Sequence, residues 1–228
     1  SEARYKGAEV VTVAPDVSPS AIHADYHVPV RPGADAALAL GMAAVIVDEE
    51  LYDAEFVREQ TDLPLLVRLD NRRYVRQSDI HERGREDVFY VFDGRTGQPA
   101  EAPRDSLSLG SVAPVLEGRH SVTLKDGEAV DVTTVFELLR ECLRDYTPEK
   151  ASEVAGVHPD VIRNLARKVS AKRTRVLLGF NSGKQYHGDL MERAMCLFLG
   201  LTGNWGKKGT GIINWSAGPW PGMATSMK

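Results

Sequence analysis

The chain has 228 residues, a formal net charge of -4 and 43% hydrophobic residues. That is enough apolar material for one large or two small cores, and the acidic balance argues against a nucleic-acid partner. No apolar run reaches the ~18 residues that a membrane span needs, so no direct membrane insertion is expected.

Strand-forming residues open the chain. Glu9–Val13 is rich in β-branched side chains, which suits a strand covered on both faces. Pro15 ends it and leaves Asp16 at its carboxyl end. Ser18-Pro19-Ser20 then starts a short helix, with Ser18 as N-cap and Pro19 at the first helical position. Val28-Pro29-Val30 is a second extended piece, and Arg31-Pro32-Gly33-Ala34-Asp35 turns into a helix over about 36–50. That helix is apolar nearly all round and should be buried, under the sheet, with Gly41 marking close packing. Asp53 caps a further helix over 54–60.

Between about 62 and 131 the texture becomes polar and loop-rich. Extended residues at 88–92 precede a turn, and 121–124 with 129–132 flank a hairpin signal at Lys125-Asp126-Gly127-Glu128. The arginines at 68, 72, 73 and 76 suit either a solvated face or contacts to a cofactor or partner. Helical text returns with a capping box at Thr134 and Glu137, then with starts at Thr147-Pro148 and His158-Pro159 and a stop at Gly156. Cys142 and Cys196 lie in helical apolar patterns and read as buried, unpaired thiols. Arg175–Phe180 predicts a buried strand, followed by a polar loop over 179–188 and a helix from Asp189 to about Leu201, with Gly203 as its left-handed cap.

Three places carry candidate chemistry. Asp16 with Ser18 and Ser20 could accept ribose hydroxyls and present helix amides to phosphate, or be only a turn. Arg31, Gly33 and Asp35 form a turn in which a carboxylate could accept both donors of a guanine edge, or merely cap the helix; Gly33 allows close backbone approach. Ser182, Gly183, Lys184, Gln185 and His187 suit an anion or ring edge, or a surface turn. His187 has no second ligand at helical spacing, so no metal site is expected, and no catalytic residue is assigned. The turn at 14–20 lacks the glycine patterns of NAD- or ATP-binding loops.

Val-Ala-Pro-Asp at 13–16, Ala-Asp at 24–25, then Val-Pro-Val-Arg-Pro-Gly-x-Asp-Ala-Ala-Leu-Ala-Leu-Gly-Met-Ala over 28–43 resemble the molybdopterin oxidoreductase (dimethyl sulfoxide reductase) family. Arg4-Tyr5-Lys6-Gly7 narrows the resemblance to the respiratory nitrate reductase, ethylbenzene dehydrogenase and selenate reductase branch. It resumes at Tyr146-Thr147-Pro148-Glu149 and Leu201-Thr202-Gly203-Asn204.

The resemblance implies an internal fragment of a prokaryotic catalytic subunit that serves anaerobic respiration, on the periplasmic or the cytoplasmic face of a membrane. The implied fold is α/β, a Rossmann-like three-layer sandwich with a parallel sheet and a loop-rich insertion with short β-hairpins. Residues 1–174 would form a dinucleotide-cofactor-binding domain with its insertion at about 62–131, and 175–228 would start a second such unit. The implied cofactor is bis(molybdopterin guanine dinucleotide) with molybdenum. Asp35 would read one guanine, and the 182–188 loop would lie near a pterin. Ala34 stands where the family commonly has threonine, which removes a hydroxyl contact and spares the carboxylate. The iron–sulfur cluster and the aspartate that ligates molybdenum would lie outside this segment, so the fragment alone should be inactive and metal-free. Partners would be the rest of the catalytic subunit and an iron–sulfur electron-transfer subunit. The alternatives are a free-standing guanine-nucleotide-binding domain or a subunit-interface domain without catalysis.

Overall fold

Fourteen residues, Asp35–Asp48, make the helix around which the rest is packed. Their sequence is apolar on every side, and Leu38, Ala39 and the run Met42–Val47 are buried. The computed structural model describes residues 2–103, 108–179 and 182–213. In chain order the elements begin with α1 (Glu2–Tyr5), β1 (Val11–Val13), α2 (Pro19–Ile22), β2 (Tyr26–Val28), α3 (Asp35–Asp48) and α4 (Ala54–Gln60). The middle holds β3 (Leu66–Arg68), α5 (Gln77–Ile80), β4 (Tyr90–Asp93), β5 (Gln98–Glu101), β6 (Arg119–Thr123) and β7 (Ala129–Thr134). Then come α6 (Val135–Leu143), α7 (Pro148–Ala155), α8 (Pro159–Ala171), β8 (Arg175–Leu177), α9 (Gly188–Leu201) and β9 (Gly211–Ile213).

Four helices, α6, α7, α8 and α9, pack on α3. Strand residues Val11, Val28, Val176 and Ile212 of the two parallel pairs join the same core. The small residues of α3 explain the arrangement. A β-carbon on Gly41 would stand 2.7 Å from the Ala151 Cβ of α7 and 3.3 Å from Ile162 of α8. Only a residue without a side chain lets these axes approach so closely. One core joins Val28, Val30, α3, Phe136 of α6, Ile162 of α8, and Phe198, Leu199 and Leu201 of α9.

The fold is mixed α/β, with the described strands in four small sheets. β1 and β2 pair in parallel, Val11 opposite Tyr26 and Val13 opposite Val28. β8 and β9 form a second parallel pair. Neither is covered on both faces as their β-branched content suggests. Val13 is 40% exposed and Leu177 74% exposed. Strand composition reports fitness for a pleated surface, not the presence of a second layer. The 175–180 strand is also shorter than expected, and Phe180 lies outside the described residues.

The insertion has its own frame. β3, β7 and β6 form an antiparallel sheet, β4 and β5 a hairpin, and Leu66, Val75, Tyr90, Val122, Leu124, Val130 and Val132 close a second, smaller core. Here Arg68 departs from the solvated-face reading. Its guanidinium is largely buried and bridges Asp70 at 2.6 Å and Asp79 at 3.4 Å. Arg76 stands over the Phe89 ring. Both cysteines depart too: Cys142 is exposed and Cys196 half-buried, because each sits beside the apolar stripe of its helix rather than on it.

Candidate functional site

Because β1 and β2 run parallel and adjacent, both chains leave the ribbon at the same edge. His27 Nε2 lies 3.0 Å from the Ala14 carbonyl and ties the two exits together. Asp16 follows β1 and is exposed, and its carbonyl accepts the Ser18 amide at 3.1 Å. The N-cap position of α2 belongs to Ser18, whose side chain makes no capping bond; Ser20 accepts from Thr12 Oγ1 through its carbonyl at 3.4 Å.

After β2, Val30 is buried and the next residues turn sharply. The Ala34 amide donates to the Arg31 carbonyl at 3.0 Å, with Gly33 at φ +77°. A side chain is strained at that angle, which accounts for the glycine. Asp35 is the first residue of α3, and buried Ala34 takes the N-cap position. The capping role weighed for Asp35 is therefore not one it performs. Its carboxylate is partly buried, accepts only from its own backbone, and meets no other donor among the described residues. Burial holds its pKa above the ordinary carboxylate value, only partly offset by that one amide. Arg31 turns the other way: its Nη1 donates to the Glu153 and Val154 carbonyls at the end of α7.

The loop before α9 closes on itself. A β-carbon on Gly188 would stand 2.5 Å from the Gly183 carbonyl, so the two glycines press backbone to backbone. Ser182–Lys184 is a single 3-10 turn. His187 precedes α9 at φ +56°, exposed, with the Tyr186 ring centroid 4.0 Å from its own. Lys184 is exposed. Gln185 reaches out of this loop toward the turn after β2: its Oε1 lies 3.7 Å from where a Gly33 β-carbon would be.

Two of the three candidate places thus adjoin, the Arg31–Asp35 turn and the Ser182–His187 loop. Asp16, Ser18 and Ser20 share the sheet edge through strand pairing alone. Among the described residues no group of three or more His, Cys, Asp or Glu side chains could hold a metal ion, and no helix is long and apolar enough to cross a membrane. Sequence reasoning missed Asn204, which is buried and ties three segments together. Its Oδ1 accepts the Thr174 amide at 2.7 Å, and its Nδ2 donates to the Val169 carbonyl at 3.0 Å and to Thr202 Oγ1 at 2.9 Å. Its place directly after the left-handed Gly203 was the available signal.

Comparison with known proteins adds an independent line. A family model described as molybdopterin oxidoreductase matches residues 1–223. The chain is 38% identical, over 96% of its length, to perchlorate reductase subunit alpha of Dechloromonas aromatica, covering 26% of that protein. It is 40% identical over 97% of its length to dimethylsulfide dehydrogenase subunit alpha of Rhodovulum sulfidophilum, covering 25%. Respiratory nitrate reductase subunit alpha of Haloferax mediterranei is 37% identical over 92% of the chain and is covered to 23%. The chain thus spans about a quarter of the length of these curated relatives. Among solved structures, acetylene hydratase from Pelobacter acetylenicus superposes on 91% of the chain, and the chain covers 19% of it, with a TM-score of 0.54 and 20% identity, a likeness of fold alone.

Proposed function

The chain belongs to the molybdopterin oxidoreductase family, and from that premise we propose that it is the part of a catalytic subunit that grips one guanine end of a bis(molybdopterin guanine dinucleotide) cofactor. The observation that carries this reading is the Asp35 carboxylate, partly desolvated and, among the described residues, with no donor but its own backbone amide, beside a glycine turn. Such a carboxylate is costly to keep unless something donates to it. Guanine offers adjacent N1–H and N2–H donors on one edge, which a carboxylate accepts in bidentate fashion, while adenine lacks the pair. The two acceptor oxygens of Asp35 fit the two donors of that edge.

When bound, the cofactor carries the redox chemistry; this segment supplies binding, orientation and electrostatics. Asp35 reads the base, and Gly33 clears space for it. Asp16, Ser18 and Ser20 meet the sugar and phosphate along the shared edge, and the 182–188 loop lines the pterin side with Gly183, Lys184, Gln185 and His187. In this reading β1–β2 and β8–β9 belong to Rossmann-like sheets, 1–174 to one cofactor-binding domain and 175–228 to the start of the next. The iron–sulfur cluster and the electron-transfer subunit belong to the larger assembly, which would respire anaerobically at one face of a prokaryotic membrane.

Purified full-length subunit should contain molybdenum together with guanine nucleotide releasable by acid. Asp35→Asn should lower the nucleotide under limiting cofactor. Absence of guanine nucleotide in the wild-type subunit would overturn the proposal.

A further inference from the structure

The C-terminus of α7 is finished by a residue far away in the sequence. A helix leaves its last four carbonyls without partners inside the helix. Gly156, in the left-handed region at φ +72°, returns its amide to the Ser152 carbonyl at 2.8 Å. The other three are taken by Arg31. Its Nη1 donates to the Glu153 and Val154 carbonyls, and its backbone amide donates to Ala155 at 2.9 Å. α7 has no basic residue of its own in its last turn, so this guanidinium is also the cation that its negative dipole end lacks. The Arg31 stem lies against Gly156, where a β-carbon would stand 3.1 Å from Cγ and Nε. On its other side, the Arg31 carbonyl accepts the Ala34 amide and so sets the turn that delivers Asp35.

We infer that Arg31 is a positioning residue: by closing the end of α7 it fixes the Arg31–Asp35 turn and so aims the Asp35 carboxylate. Three residues, Pro32, Gly33 and Ala34, link the clamp to the carboxylate, with no flexible side chain among them. The guanidinium is thus turned toward helix carbonyls and serves the cofactor through Asp35. The inference rests on the guanine-reading role proposed for Asp35.

The test uses the purified chain and two variants, Arg31→Ala and Arg31→Lys, followed by NMR. In Arg31→Ala the Ala34 amide should exchange at least about tenfold faster, while the α3 amides of Val45 and Ile46 keep their protection. The Asp35 carboxyl should titrate closer to the ordinary aspartate value, because a loosened turn lets water reach it. Arg31→Lys, with a compact ammonium in place of the planar fork, should fall between. A folded Arg31→Ala protein whose Asp35 titrates as in the wild type would overturn the inference. Should that variant not fold, Arg31→Lys decides: an unchanged Asp35 titration beside faster exchange at Gly156 overturns it equally. Guanine-nucleotide content of the full-length Asp35→Asn subunit separates the two ideas. Undiminished nucleotide there would remove the guanine reading while the Asp35 titration still decides the role of Arg31.

Discussion

Asn204 and Thr174 are joined by a 2.7 Å bond from the Thr174 backbone amide to the Asn204 side-chain oxygen, which anchors the start of β8 to the end of α9. The Asn204 side-chain nitrogen, Nδ2, donates to the Val169 carbonyl of α8 and to Thr202 Oγ1. One buried side chain therefore holds the junction of two helices and a strand. Asn204→Ala removes all three bonds and strands a buried carbonyl and an amide. The expected loss is about 2–4 kcal/mol, from the usual worth of hydrogen bonds plus unsatisfied groups. Urea unfolding of the purified chain measures it, and a loss below about 0.5 kcal/mol would contradict the account.

Gly41→Ala sets two effects against each other. Alanine gains about 1 kcal/mol of helix propensity over glycine. Its methyl would meet Ala151 Cβ at 2.7 Å, and overpacking of that kind costs about 1–3 kcal/mol. Packing wins: the variant should be less stable, and Gly41→Ala with Ala151→Gly should recover part of the loss. Thermal midpoints of the single and double variants check this.

Thr134 serves two masters at the start of α6. Its hydroxyl oxygen accepts the Glu137 amide at 3.1 Å, and the hydroxyl donates to the Leu116 carbonyl. Thr134→Ala should cost about 1–2 kcal/mol, at the upper end of cap losses because the site is fully buried. Thr134→Ser should retain most of that stability. Equal losses for the two substitutions would show that the methyl group, and not the hydroxyl, carries the stabilisation.

Asp35 predicts a conflict between stability and binding. Its pKa is raised in the folded chain, so the folded state holds the proton more tightly than the unfolded one. Its contribution to stability is therefore greatest below the ordinary aspartate pKa. It declines as pH rises from there to the raised value and stays low above it. At neutral pH Asp35→Asn should raise the thermal midpoint of the cofactor-free chain, with the difference closing in acid. Capping should not suffer, because the N-cap position is Ala34. In the full-length subunit the same change should weaken guanine binding by about 2–4 kcal/mol, through loss of a charge-assisted pair and an unpaired N–H. A lower midpoint at neutral pH would contradict the first half.

Helix limits were legible because capping is local chemistry. Asp53, Thr134, Thr147 and His158 stand at N-caps with their side chains accepting backbone amides, α7 stops at Gly156, and Gly203 is left-handed as its position suggested. Which helices pack on α3 was not legible. A helix apolar on all sides must be buried, yet the pattern is the same under a sheet or among helices. Arg68 escaped for a related reason: its two carboxylate partners lie on different turns, and a run of charges in the sequence does not show which of them fold inward. At the candidate site, polar loops after strands marked the three places. The contact of Gln185 with Gly33 and the clamp of Arg31 on α7 join distant segments, and no local pattern encodes either.

The two hydrophobic cores have a consequence for how such a chain can change over generations. Among the described residues, no buried side chain belongs to both the cluster around α3 and the one beneath β3, β7 and β6. Side-chain changes beneath β6 and β7 alter the smaller cluster, whereas changes at Leu63 or Leu116 alter the one around α3. The β4–β5 and β6–β7 turns, which add no side chain to the α3 cluster, are thus where length can drift with least effect on the packing of α3.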